Sequence, residues 1–147
     1  MSEDCEYTFP GDNLEVTIQV KSLPHVANVQ MSTRWLAKKL VFSPVDVCRA
    51  VSSASELASN LVFHATDGGT ITIRAVMKDG VAGIELISCD EGPGIKDVEL
   101  ALQDGYSTGP GLGSGLPAVK RAMDELEITV TEDSHTCIRT RLWHSCE

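Results

Sequence analysis

The sequence predicts an α/β fold, a two-layer sandwich with helices on one face of a mixed, largely antiparallel sheet. Three observations predict it. Period-two strands bracket the chain, two capped amphipathic helices follow one another near its start, and the later strands are joined by turn signals that suit hairpins. At 147 residues the length fits one domain, read as residues 14–147 behind an acidic, flexible tail of residues 1–13.

Leu14, Val16, Ile18 and Val20 alternate with Glu15, Thr17 and Gln19, the pattern of a half-buried first strand. Pro24 suits the first turn of a helix to about Leu40, with Val26, Val29, Leu36 and Leu40 inward and Arg34, Lys38 and Lys39 outward. Ser43-Pro44-Val45-Asp46 starts a second helix, Ser43 as N-cap, whose apolar face is Val47, Val51, Ala54, Ala58 and Leu61. Thr70 to Met77 and Val81 to Cys89 read as strands joined by Lys78-Asp79-Gly80 in an antiparallel hairpin. Ile95 to Asp104 is spaced for a short helix, and Gly105 to Gly115 is too glycine-rich for regular structure. Pro117 starts a helix through Leu126, and Ile128 to Thr131 with Thr136 to Trp143 forms a closing hairpin.

Composition narrows the function. Twelve bases against 21 acids give a net charge of −9, which repels a phosphate backbone and an anionic leaflet, so nucleic acid and membrane surfaces are poor partners. Glu3, Asp4, Glu6, Asp12 and Glu15, with no base among the first fifteen residues, supply more than half of that charge. The five cysteines, Cys5, Cys48, Cys89, Cys137 and Cys146, form no C-x-x-C pair and no zinc spacing, so reduced thiols are expected. With no signal-peptide pattern and no long apolar run, the expected compartment is the cytoplasm.

Seven of the 12 glycines lie between Gly92 and Gly115, which marks that stretch for function. Glu56 and Asn60, four apart, share one helix face; a carboxamide oxygen can ligate a hard cation and a carboxylate can take a proton. On spacing alone a partly exposed helix flank is the better explanation of the pair. Asp90-Glu91-Gly92-Pro93-Gly94 follows an apolar strand, so Asp90 stands at a strand end and can accept from an exocyclic amine, or close an Asx turn. Gly109-Pro110-Gly111-Leu112-Gly113-Ser114-Gly115 runs into a helix start and offers free amides as an anion-binding nest. No Gly-Lys dipeptide exists, so a Walker A loop is excluded. Gly105-Tyr106-Ser107-Thr108-Gly109 matches G-x-S-x-G but follows a helical pattern, where a nucleophile elbow needs a strand.

In order, Glu56-Leu57-Ala58-Ser59-Asn60, Asp90 to Gly94 and Gly109 to Leu116 resemble the N, G1 and G2 boxes of the GHKL, or Bergerat, ATP-binding fold. The ordered triple is far more specific than any one box. Asp104 to Thr108, Gly111 to Pro117, Val119-Lys120-Arg121 and Met123-Asp124-Glu125 are similar to the RsbT-like serine/threonine kinases of the stressosome, within the anti-sigma regulatory kinase family. The likeness spans Leu14 to Trp143.

This resemblance implies a protein serine/threonine kinase that uses ATP and Mg2+. It implies Glu56 as catalytic base, Asn60 as magnesium ligand and Asp90 as adenine contact. Gly92 and Gly94 would shape the adenine pocket, Gly111, Gly113 and Gly115 with Leu116 the phosphate lid, and Thr136 falls near the threonine that supports the aspartate. The implied partners are STAS-domain proteins of the RsbS and RsbR kind in a stressosome, then a PP2C-type phosphatase or other output regulator. Two other readings stand beside it: an anti-sigma factor of the RsbW or SpoIIAB kind, and a non-catalytic, nucleotide-gated binding module. The Arg34, Trp35 and Lys38 cluster is a candidate docking patch, joining an aromatic anchor to positive charge.

Overall fold

The alternation of Glu15–Val20 places Val16, Ile18 and Val20 on the helix side of strand β1 and leaves Glu15, Thr17 and Gln19 on the other. The computed structural model describes residues 14–65, 67–90, 115–131 and 135–145. Helix α1 (Leu23–Lys39) carries Pro24 in its first turn and buries Val26, Val29, Thr33, Leu36 and Ala37. It ends in a Schellman arrangement: Phe42 N–H donates to Ala37 O and Val41 N–H to Lys38 O, both at 3.0 Å, with Val41 at φ +61°. Helix α2 (Pro44–His64) begins as its sequence dictates, the Ser43 Oγ accepting from the Asp46 N–H at 3.1 Å.

Ala50, Ala54, Leu57 and Ala58 are fully buried on α2, and the small alanines among them let the helix lie close to the sheet. Beneath it run β2 (Gly69–Lys78) and β3 (Val81–Asp90), joined by Asp79 and Gly80, both at positive φ, as a tight two-residue hairpin turn requires. The next described elements are helix α3 (Gly115–Ala122), then β4 (Glu125–Val130) and β5 (Thr136–Trp143). The strand order is β1-β2-β3-β5-β4, with the helices packed on one face. Ile71, Ile73, Ile84, Leu86, Ile138 and Leu142 meet those helices in the core.

Register aligns Glu15, Arg74, Glu85, Arg141 and Glu125 in one row across all five described strands on the opposite face. Glu85, fully buried, accepts from Arg74 Nε and Arg141 Nε at 2.5 Å each. Opposite charges paired across strands thus cover this face where a second helix layer would otherwise be needed.

Three expectations are corrected. Every described strand pairing is antiparallel, so the sheet is not mixed, because β5 returns between β3 and β4. The last helix ends at Ala122 instead of Leu126, and the strand predicted from Ile128 begins at Glu125. Leu126, Ile128 and Val130 alternate on one side, and Thr140 Oγ1 donates to Glu125 O at 2.6 Å, so pairing with β5 outweighs the helix-forming Glu and Leu. Finally, Cys89 and Cys137 are joined in a disulfide, not left as free thiols; strand register sets them face to face across 48 residues of sequence, a proximity no local spacing encodes. Cys48 is free and exposed. The candidate helix from Ile95 to Asp104, the loop from Gly105 and the acidic tail lie outside the described residues.

Candidate functional site

Asp90 ends β3 with its side chain toward the helices and is 4% exposed. Its partner across β2 is Gly69, where a Cβ would stand 2.8 Å from the Asp90 Cα and 2.9 Å from Leu61 Cδ2. The missing side chain therefore lets α2, through Leu61, settle against the strand end that carries Asp90.

Two residues at the start of β5 hold the aspartate. Thr136 N–H donates to Asp90 Oδ2 at 3.0 Å, and His135 Nδ1 donates to the Asp90 main-chain oxygen at 3.0 Å. His135 Nδ1 also lies 3.7 Å from Asp90 Oδ1. That Oδ1 atom is buried and accepts no hydrogen bond among the described residues. An acceptor left unmet inside a protein costs about 1–3 kcal/mol, so the geometry suits a ligand that brings a donor, such as an exocyclic amine.

Glu56 and Asn60 lie one turn apart on α2 and share a flank with Arg49 and Ser53 by helical phase. Arg49 Nε donates to Ala122 O at 2.8 Å, so this flank faces α3. Asn60 is 9% exposed, whereas Glu56 is half-buried. Glu56 Oε2 and Ser53 Oγ are buried and, like Asp90 Oδ1, have no hydrogen-bond partner among the described residues. Burial pushes the Glu56 carboxyl above its ordinary value of 4.5, because the charged form loses water. A carboxylate so placed is a stronger base than one in solvent.

Of the positions expected to form a phosphate lid, Gly115 opens α3 and Leu116 beside it is 2% exposed. Gly92, Gly94, Gly111 and Gly113 lie outside the described residues. The described residues stop at Asp90 and resume at Gly115, at the head of the helix that packs on the Glu56 flank. Sequence reasoning missed Ser53, His135 and the Cys89–Cys137 bridge. Ser53 was findable as a polar residue three before Glu56 on the same flank; His135 and the bridge carried no local signal.

A separate groove of about 370 Å³ lies at the sheet edge between α1 and β1, lined by Leu14, Val16, Met31, Trp35, Leu36 and Ile73 among others. The Val16–Ile73 pair stands four rungs along the ladder from Gly69, at the other end of β1 from Asp90's neighbourhood. Met31 is 70% and Trp35 58% exposed, and Lys39 Nζ lies 5.8 Å from the Trp35 ring centroid. No helix among the described residues is long and apolar enough to cross a membrane.

The histidine kinase-like ATPase domain family matches residues 20–142 of the chain. The serine/threonine-protein kinase RsbT of Bacillus subtilis is 42% identical over 110 residues, 75% of this chain and 82% of that protein. An anti-sigma F factor of Caldanaerobacter subterraneus is 39% identical over 93 residues, 60% of this chain and 64% of that protein. Among solved structures, the mycobacterial sensor histidine kinase MprB shares the fold with a TM-score of 0.52 at 18% identity, covering 88% of this chain and 96% of that one. A chain of the SiaB–SiaC complex from Pseudomonas aeruginosa does so with a TM-score of 0.53 at 11% identity, covering 88% of each.

Proposed function

Because this chain belongs to the histidine kinase-like ATPase family and is an RsbT-like protein serine/threonine kinase, we propose that it is a cytoplasmic switch that phosphorylates STAS-domain stressosome proteins with Mg-ATP. The observation that carries the reading is the set of buried oxygens without a hydrogen-bond partner among the described residues on the two signature segments, Asp90 Oδ1 at the end of β3 and Glu56 Oε2 on α2. Each is an acceptor awaiting a proton donor: the adenine amino group at Asp90, and the hydroxyl of an incoming serine or threonine at Glu56.

Thr136 and His135 fix Asp90 so that its free oxygen keeps one direction, which favours adenine over guanine, whose equivalent position is an acceptor. Asn60 would hold magnesium through its side-chain oxygen, a hard neutral donor that leaves the other ligands to phosphates and water. Magnesium supplies charge neutralisation on the phosphates when bound. Glu56 takes the proton of the attacking hydroxyl as its oxygen bonds to the γ-phosphorus, and the bond to the β–γ bridging oxygen breaks, leaving ADP. The amides of Gly111, Gly113 and Gly115, with Leu116 packed beneath, would close over the phosphates, and Gly92 and Gly94 would let the backbone approach adenine.

Released from its STAS partner, the kinase would then bind and activate an output regulator such as a PP2C-type phosphatase. The α1 surface supports this: exposed Arg34 and Lys38 flank the Met31–Trp35 ridge on a chain of net charge −9, a local reversal that suits an acidic partner. The anti-sigma reading rests on the 39% identity to the Caldanaerobacter protein. Two measurements separate the readings: radiolabelled phosphate should appear on a STAS protein with no sigma factor captured, whereas capture of a sigma factor would favour the alternative. Nucleotide binding with neither transfer to a STAS protein nor capture of a sigma factor would leave only the non-catalytic module.

A further inference from the structure

Cys89 and Cys137 face each other in register on β3 and β5, with Cα atoms 4.1 Å apart and their sulfurs joined. This is the closer of the two spacings in an antiparallel ladder, the one at which side chains meet. It is also the terminal pair of the β3–β5 ladder, which runs from Gly83 and Trp143 to this bridge. Ladder ends fray first, so a covalent link here clamps the least stable rung.

The next residue on β3 is Asp90, and the residue before Cys137 is Thr136. Three successive residues, His135 to Cys137, therefore restrain a single residue, Asp90. His135 bonds its main-chain oxygen, Thr136 its Oδ2, and Cys137 is tied to its chain neighbour. The bridge lies on the sheet face opposite the helices, in a row with Gln19, Thr70 and Thr129. Both cysteines are half-buried and their row neighbours are small or exposed, so an attacking thiolate has access.

We infer that Cys89–Cys137 is a thiol–disulfide exchange site for a dithiol reductant of the thioredoxin class, and that opening it loosens Asp90 and weakens ATP binding. This rests on the reading of Asp90 as the adenine contact. In the step, one reductant thiolate attacks a bridge sulfur, the Sγ–Sγ bond breaks and a mixed disulfide forms. The second reductant thiolate displaces the remaining protein sulfur. Two electrons and two protons pass to Cys89 and Cys137, which end as thiols, and the reductant ends as its own disulfide. The last rung, at the spacing where the paired residues exchange no hydrogen bonds, is then held only by the rungs before it, and the Thr136 amide can leave Asp90 Oδ2.

The test compares the full chain, oxidised and after treatment with dithiothreitol, using alkylation and mass spectrometry to count thiols, with exposed Cys48 as a positive control in both states. Hydrogen exchange of the Thr136 amide, measured without nucleotide, and calorimetry with Mg-ATP are the two readouts. Reduction should speed Thr136 exchange and weaken ATP binding by at least about fivefold, the lower range of coupling between sites. Cys89→Ser with Cys137→Ser should match the reduced form and ignore dithiothreitol. Free Cys89 and Cys137 in the aerobically purified chain, or Thr136 exchange indifferent to reduction, would overturn the latch. Faster Thr136 exchange with unaltered ATP affinity would instead overturn Asp90 as the adenine contact, and with it the coupling.

Discussion

Asp90→Asn replaces one oxygen by an NH2 group and removes one charge at the position where Thr136 N–H donates to Oδ2 and Oδ1 accepts no hydrogen bond among the described residues. If the new amide turns its oxygen to Thr136, its NH2 group meets the adenine amino group, donor against donor. If it turns the other way, the NH2 group meets the Thr136 N–H inside a site that is 4% exposed. One buried donor is unmet in either rotamer. That costs about 1–3 kcal/mol, or roughly five- to 150-fold in ATP affinity. The same NH2 group can donate to the guanine carbonyl, so the preference for ATP over GTP should narrow further than ATP affinity alone would dictate. Calorimetry with both nucleotides, on variant and parent, measures the two effects, and the thermal midpoint reports any general loss of fold. Unchanged ATP affinity in a folded variant, or a parent that binds GTP as well as ATP, would refute the reasoning.

Glu56→Gln should keep ATP affinity while STAS phosphorylation falls by about a hundredfold or more, as for loss of a general base. Because burial raises the Glu56 carboxyl above 4.5, the folded parent binds more protons than the unfolded chain and loses stability as pH rises through that window; the glutamine variant should melt higher at pH 7, and the gap should close below pH 4.5. Asn60→Ala should abolish the magnesium-dependent part of ATP binding, read as the difference between titrations with and without the metal. Glu85→Ala leaves Arg74 and Arg141 facing each other; since these arginine side chains are 40% and 23% exposed and can recover water, the cost should be roughly 2–3 kcal/mol in chemical denaturation, below that of a fully buried pair. Charge reversal at Arg34 and Lys38 should impair capture of the output regulator and leave ATP affinity alone, checked by paired binding assays.

The elements that depend on neighbours in sequence were legible in it. Pro24, the Ser43 cap, the alternation of Leu14 to Val20 and the Asp79-Gly80 turn each act within four residues or so, and they fixed α1, α2, β1 and the β2–β3 hairpin. The three ordered segments likewise announced where the chemistry should be sought, since Glu56 and Asn60 share a flank through helical geometry alone. What tertiary structure decided was every relation between distant strands. Only the return of β5 between β3 and β4 turned Glu125 into a strand residue, set Glu85 between two arginines, joined Cys89 to Cys137 and brought His135 and Thr136 to Asp90. These contacts lie up to 56 residues apart along the chain. Their partners are chosen by strand order and register, which depend on how the whole sheet buries its apolar face and not on any local run of residues.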